Sequence, residues 1–208
     1  SNHRAYIRFS LGDHENELAK EIVGLIKTVF GIEAKIHRRS SDRKKTGLEI
    51  TACHSYLADI FSNLCGKHAE NKHIPFIFQV LPPQKQLVLL NAIWKGDGTS
   101  FVAHRSRRTH KSITTVSRIL AEQLVDILLR NGFFPSMRIY GERMDKKNVH
   151  HKENYHIFWS EEARAQHTLI YREGDNKRYW MLPVAEVKQR PYSGPVHNLT
   201  VEEDHSYI

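Results

Sequence analysis

Leu89-Leu90-Asn91-Ala92-Ile93-Trp94-Lys95-Gly96-Asp97-Gly98 is an apolar run that ends abruptly in Gly-Asp-Gly. A helix accounts for it. Pro82-Pro83 can open the element, Leu87, Leu90, Ile93 and Trp94 recur at helical spacing, and Gly98 can end it. Ala92 and Gly96 lie four residues apart, on one face, where a second helix can approach closely. Asp97 then falls at the helix C-terminus, where the macrodipole disfavours a carboxylate and a bound cation relieves the cost. The same residues also suit a plain core helix followed by a solvated turn, so the surroundings must decide.

The chain has 208 residues and a formal net charge of +8, with a pI near 9.5. That length holds one sizeable core or two small ones. The basic excess suits a polyanionic partner, most simply nucleic acid. No run is apolar enough to span a membrane and no secretory signal is visible. Two cysteines give no disulfide framework. The expected setting is therefore intracellular: cytoplasmic, or nucleoid-associated in a bacterium or archaeon. No Gly-x-Ser-x-Gly, P-loop or Gly-x-Gly-x-x-Gly pattern is present, which removes support for esterase, NTPase and dinucleotide chemistry.

Outward from the central run, the sequence repeats. Leu18-Ala19-Lys20-Glu21-Ile22-Val23-Gly24-Leu25-Ile26 returns as Leu120-Ala121-Glu122-Gln123-Leu124-Val125-Asp126-Ile127-Leu128, apolar position for apolar position. Both predict amphipathic helices, over 18–30 and 119–131, capped by Asp13 and Ser117 and stopped at Gly31 and Gly132. Strands are expected on either side of each: 4–10, 32–39 and 47–53 in the first half, 111–116, 134–140 and 155–159 in the second. A further helix is expected near Tyr56–Leu64. The period is far above that of a solenoid, so a pseudo-twofold duplication is the better description.

Three basic clusters stand out. The first holds Arg38, Arg39, Arg43, Lys44 and Lys45, the second Arg105, Arg107, Arg108 and Lys111, and the third Arg138, Arg143, Lys146 and Lys147. The first and third occupy equivalent places on a hairpin after the shared helix. Basic β-ribbons fit the major groove of a duplex, and Lys and Arg supply phosphate contacts. Charged hairpins also protect sheet edges, but edge protection does not require one sign twice. Arg105 to Arg108 are expected on a strand facing the substrate near Asp97.

Fourteen histidines require zinc to be weighed. Cys53, His54, Cys65, His68 and His73 form the best set, yet their spacing matches no standard finger. Buried structural thiols are the expectation for both cysteines.

Leu90 to Gly98 resembles the LAGLIDADG motif of homing endonucleases across its nine positions. Asn91 replaces a small residue, Lys95 replaces the motif's first acid, and Asp97 keeps the later one. The resemblance covers about residues 4 to 166. It implies an α+β fold: duplicated αββαββα repeats, two motif helices packed at the centre, and two sheets forming a saddle over double-stranded DNA. It also implies metal-dependent double-strand cleavage at a long, specific site, with Asp97 and neighbouring Gly96 holding Mg²⁺ or Mn²⁺. Lys67 to Pro75 resembles the pre-motif segment in which a lysine shortly before Ile-Pro reaches the active site, a role that falls on Lys72. The first repeat's own motif helix belongs ahead of Arg4 and is absent from the sequence. Upstream chain or a second chain is expected to supply it, and with it the second carboxylate.

Tyr192 to Ile208 resembles the motif near the C-terminus of inteins, with His205 at the position of a histidine that assists C-terminal cleavage. Asn198 stands where that family commonly has an acid. The resemblance implies a small β element of a Hint splicing domain, unable to splice without the missing intein segments. The expected divisions are therefore 1–81, a first repeat lacking its motif helix; 82–177, a second repeat containing it; and 178–208, the intein β segment. The expected function is that of an intein-encoded homing endonuclease region. The alternative is a cleavage-inactive DNA-binding module of the same descent. A regulator or RNA-splicing cofactor of the same family is disfavoured by the intein-like tail.

Overall fold

The computed structural model describes residues 5–39, 47–103, 107–145, 148–161, 169–171, 178–180, 184 and 186–195. The chain divides into two compact units, residues 1–163 and 164–208, ahead of the 177/178 boundary expected from sequence. The first half of unit one contains β1 (Ile7–Gly12), α1 (Asn16–Phe30), β2 (Lys35–Arg39), β3 (Gly47–Ala52) and α2 (Ser55–Cys65). A 3-10 turn at Ala69–Asn71 and the short α3 (Phe76–Gln79) lead into α4 (Pro83–Asp97). The second half continues with β4 (Gly98–Val102), β5 (Thr109–Thr115), α5 (Arg118–Arg130), β6 (Ser136–Tyr140), the small β7 (Arg143–Met144) and β8 (His150–His151), and β9 (Asn154–Trp159).

The two halves share one plan. The first sheet runs β1-β3-β2 and the second β4-β5-β9-β6, all antiparallel. Removing β4 leaves the same order, and the register agrees. Phe9, Ile50 and Ile36 stand side by side in the first sheet, as Ile113, Ile157 and Met137 do in the second. The central strands β3 and β9 both alternate between partly buried and buried positions, with Leu48, Ile50 and Ala52 inward in one and Tyr155, Ile157 and Trp159 inward in the other. A period of two puts one set of side chains against the helices and leaves the other set on the opposite face.

The repeated helices begin slightly earlier than expected. Ser117 does cap α5: its Oγ accepts the Leu120 N–H at 3.2 Å. Asp13 does not cap α1. The cap position is Glu15, whose side chain instead accepts the Gly12 N–H at 2.5 Å. Gly31 ends α1 in the left-handed conformation, φ 68°, its N–H reaching the Lys27 carbonyl, a geometry with low cost only for glycine.

The two cores differ in size. Around α5, Leu90 of α4 joins Ile113, Ala121, Leu124, Ile127, Leu128, Tyr155, Ile157 and Trp159. Around α1 the buried cluster among the described residues holds Ala19, Leu48 and Ile50, with Ile26 of the same helix also buried. The contrast is sharpest at equivalent positions of the repeat: Ile127 is 2% exposed and Leu25 is 54% exposed. Helix α4 packs against α5 and β5. Among the described residues, no equivalent helix covers Leu25.

The polar group most deeply placed in α4 is Gln86, which is fully buried. Its Nε2 donates to the Gln79 carbonyl at 2.6 Å and its Oε1 accepts from Asn131 Nδ2 at 3.3 Å. The side chain is thereby satisfied, as burial requires.

Helix α4 passes into β4 without a loop. Gly98 is already extended (φ −93°, ψ 162°) while its N–H reaches back to the Trp94 carbonyl. A Cβ there would lie 2.2 Å from that carbonyl oxygen and 2.2 Å from Trp94 Cδ1. Glycine is required by close approach, not by its φ. At Gly96, two residues earlier, nothing lies within 4 Å of an added Cβ. Gly98→Ala should therefore destabilise the fold by about 1–3 kcal/mol, whereas Gly96→Ala should stabilise it by about 0.5–1 kcal/mol through helix propensity. Urea denaturation midpoints of the two variants check both signs.

In unit two, β10 (Leu169–Tyr171) pairs antiparallel with β11 (Arg178–Trp180). The latter lies at the start of the β segment expected over 178–208. Residues 196–208 of that expected segment, His205 among them, lie outside the described residues. Nearby, Tyr192 Oη donates to the Pro195 carbonyl at 3.0 Å.

Candidate nucleic-acid interface and active centre

Asp97 is the last residue of α4, and its side chain is 69% exposed. It lines a groove of about 590 Å³ with Arg8, Ser10, Glu21, Leu25, Lys72, Ala92, Lys95 and Gly96. The groove lies between α4 on one side and β1 and α1 on the other. Lys72 Nζ stands 4.0 Å from Asp97 Oδ2, so the two residues singled out for chemistry do meet. Lys95, at the position of the motif's first acid, forms an ion pair with Glu21 of α1. The open face of α4 at Ala92 and Gly96 borders this same groove.

The donor chemistry at Asp97 suits a hard divalent cation. A carboxylate beside the carbonyl-rich end of a helix offers oxygen ligands on the negative end of the dipole. Exposure leaves room for the several waters that Mg²⁺ retains. Among the described residues, no group of three His, Cys, Asp or Glu could hold a metal ion. The set Cys53, His54, Cys65, His68 and His73 thus forms no such group. The expectation of buried thiols is corrected for Cys53, which is exposed; Cys65 is partly buried, and burial pushes its thiol pKa up.

The sheets present a second face, away from the helices. On the first sheet it carries Arg8, Ser10, Lys35, His37, Arg39, Glu49 and Thr51. Arg8 Nε reaches Glu49 at 3.2 Å, and Arg39 pairs with the same carboxylate. On the second sheet it carries Thr99, Phe101, Ser112, Thr114, Arg138, Tyr140, Asn154, His156 and Phe158. The guanidinium of Arg138 lies 5.2 Å from the Phe158 ring centre, and Tyr140 neighbours His156. Basic, amide, hydroxyl and aromatic groups on one surface are the types that contact phosphates and base edges.

The basic clusters read from sequence do not all reach this face. Arg39 and Arg138 do, and Arg143 lies on the β7–β8 ribbon. Arg38 points to the helix side, where its Nη2 donates to Asn16 Oδ1 at 3.2 Å. Lys111 also lies on the helix side, 4.7 Å from the Trp94 ring centre and paired with Glu161 at 2.5 Å. Arg107 and Arg108 sit in the loop between β4 and β5, where Arg107 N–H donates to the Ala103 carbonyl, rather than on the expected strand. Arg43, Lys44, Lys45, Arg105, Lys146 and Lys147 lie outside the described residues. Sequence clustering missed Arg8, Lys35, Tyr140 and His156. Strand alternation was the available signal: every second residue of the basic strands shares a face.

Comparison with known proteins matches residues 84–179 to the model of the LAGLIDADG-like domain. Over 97% of its length the chain is 29% identical to an uncharacterized protein of Methanocaldococcus jannaschii, of which it spans 26%. It is 27% identical, again over 97% of its length, to an ATP-dependent DNA helicase of Thermococcus kodakarensis, spanning 19% of that protein. It is also 27% identical, over 80% of its length, to a DNA polymerase of Thermococcus hydrothermalis, spanning 12%. The chain thus spans about a quarter or less of these curated relatives. Among solved structures, I-DmoI in complex with DNA and Mn is similar at 14% identity and a TM-score of 0.48, covering 74% of this chain and 73% of that one. I-DmoI in complex with DNA and Ca is similar to the same degree, covering 75% of this chain and 69% of that one.

Proposed function

We propose that this chain is the endonuclease region of an intein and makes a metal-dependent double-strand break at a long, specific DNA site. The observation that carries the proposal is Asp97. It ends the motif helix inside the matched LAGLIDADG-like segment, exposed to a groove and 4.0 Å from Lys72. Asp97 and the Gly96 carbonyl would hold Mg²⁺ or Mn²⁺, which when bound supplies charge neutralisation and an activated water. Lys72 would face the non-bridging oxygens of the attacked phosphate. Arg39, Arg138 and Arg143 would grip the backbone on either side.

Two observations support insertion in a host protein. Nearly the whole chain aligns with a helicase and most of it with a polymerase, two unlike activities, and in each it is a small part of the length. A portable module explains that pattern. The second is the groove between α1 and α4, with Leu25 uncovered and Gly96 open. A helix from upstream chain or from a second chain would fill it and bring the second carboxylate. Residues 178–208 would then belong to the splicing domain, with His205 assisting C-terminal cleavage. The protein would act inside the cell, where its DNA target is.

A second reading is a DNA-binding module without cleavage. Lys95 favours it, because a cation bound to Glu21 occupies the position of the motif's first acid.

The test is a duplex plasmid library incubated with the full natural protein in Mg²⁺ and then in EDTA. Linear product that requires the metal is the expected result. Specific binding without linear product would select the second reading, and neither binding nor cleavage would overturn both.

A further inference from the structure

We infer that Ser117 and Gln123, on the first turns of α5, are positioning residues that set Lys72 against Asp97. The inference rests on the reading of Lys72 as the groove's working cation. Lys72 belongs to the segment between the 3-10 turn and α3, which has no helix or strand of its own to fix it. Its backbone is instead held by α5. The hydroxyl of Ser117, a fully buried residue, donates to the Lys72 carbonyl at 2.6 Å while accepting the Leu120 N–H. One hydroxyl thus caps the helix and anchors the lysine.

Two residues on, Gln123 grips Ile74 at both polar atoms. Its Oε1 accepts the Ile74 N–H at 2.7 Å, and its Nε2 donates to the Ile74 carbonyl at 3.2 Å. Ile74 is buried in the core beside Leu90 of α4. The other end of the segment is tied down as well. His73 N–H donates to the Cys65 carbonyl, and Glu70 pairs with Lys152 at 3.2 Å.

The same helix α5 packs against α4, which carries Asp97. So α5 is the common frame for both partners, and the side chain of Lys72 needs to order only its own methylenes. That is pre-organisation: the ammonium is held near its working place before substrate arrives. Neither Ser117 nor Gln123 lines the groove.

Zero-length carbodiimide crosslinking of the full chain tests the inference without requiring activity. Wild-type protein should yield an isopeptide between Lys72 and Asp97, and a second between Lys95 and Glu21 as an internal control. Gln123→Leu keeps a good helix former in α5; it should lower the first crosslink several-fold and leave the second unchanged. Ser117→Ala should do the same, and if it fails to fold, Gln123→Leu carries the test alone. With Mg²⁺ and duplex substrate, kcat should fall by about 10²-fold, the scale of a 1 Å misplacement, while the Kd for DNA holds. An unchanged Lys72–Asp97 crosslink in folded Gln123→Leu overturns the inference. A parallel fall of both crosslinks also overturns it, since the effect would then be global. If the crosslinks behave as expected but Lys72→Met cleaves normally, positioning stands and the catalytic role of Lys72 fails.

Discussion

Asp97→Asn should abolish cleavage and leave DNA affinity nearly unchanged. The substitution removes a charge and almost no volume, so α4, Gly98 and β4 keep their places. What is lost is the anionic oxygen ligand at the helix end. A metal's stabilisation of transition-state charge is worth several kcal/mol, and each 1.36 kcal/mol is tenfold in rate. The single-turnover rate in Mg²⁺ should therefore fall on the order of 10²–10⁴-fold. The Kd should hold because the proposed phosphate grip lies on the sheets and not at the end of α4. Full-rate cleavage by the variant would remove Asp97 from the active site and return α4 to the status of a core helix.

Neutralising the outer sheet face should have the opposite signature. The combination Lys35→Gln, Arg39→Gln, Arg138→Gln and Arg143→Gln leaves Arg8 to pair with the Glu49 carboxylate, so the fold is not asked to hold an unpaired acid. Each phosphate contact contributes about 0.9 to the slope of log K against log salt. Loss of four contacts should flatten the slope by about three to four units. The control is Arg38→Gln with Lys111→Gln, two cations on the helix side, which should leave the slope unaltered. An unchanged slope in the first variant would show that DNA is bound elsewhere.

The contrast between those two variants explains how much was legible in the sequence. The duplicated helix was readable because its apolar positions repeat in a local pattern, and the strands around it follow from alternation. The basic clusters misled in part because clustering ignores that alternation: Arg38 and Arg39 are neighbours in sequence and lie on opposite faces of β2. Lys111 sits in a strand whose inward positions include Ile113, so its ammonium lies over Trp94. Strand β4 escaped because Gly96-Asp97-Gly98 also suits a solvated turn, whereas the chain passes straight from helix into strand. Helix α3, four residues long, is held by tertiary contacts such as the Arg130 guanidinium to the Gln79 carbonyl. The meeting of Lys72 and Asp97 came through resemblance alone. No local pattern encodes that Ser117, 45 residues further along the chain, holds the Lys72 carbonyl.

The direct passage of α4 into β4 governs tolerance of error. A carboxylate on a flexible loop would sample many positions and could act on a poorly seated duplex. Here Asp97 is one peptide step from a strand whose outer face would meet the duplex in the proposed complex, and Gly98 leaves no slack between them. A duplex that fits the sheet badly would then displace the scissile phosphate from a fixed acid, and the acid could not follow. On the proposed function, such rigidity would convert a recognition mismatch into a failure to cut, and fidelity would reside in the joint between helix and strand.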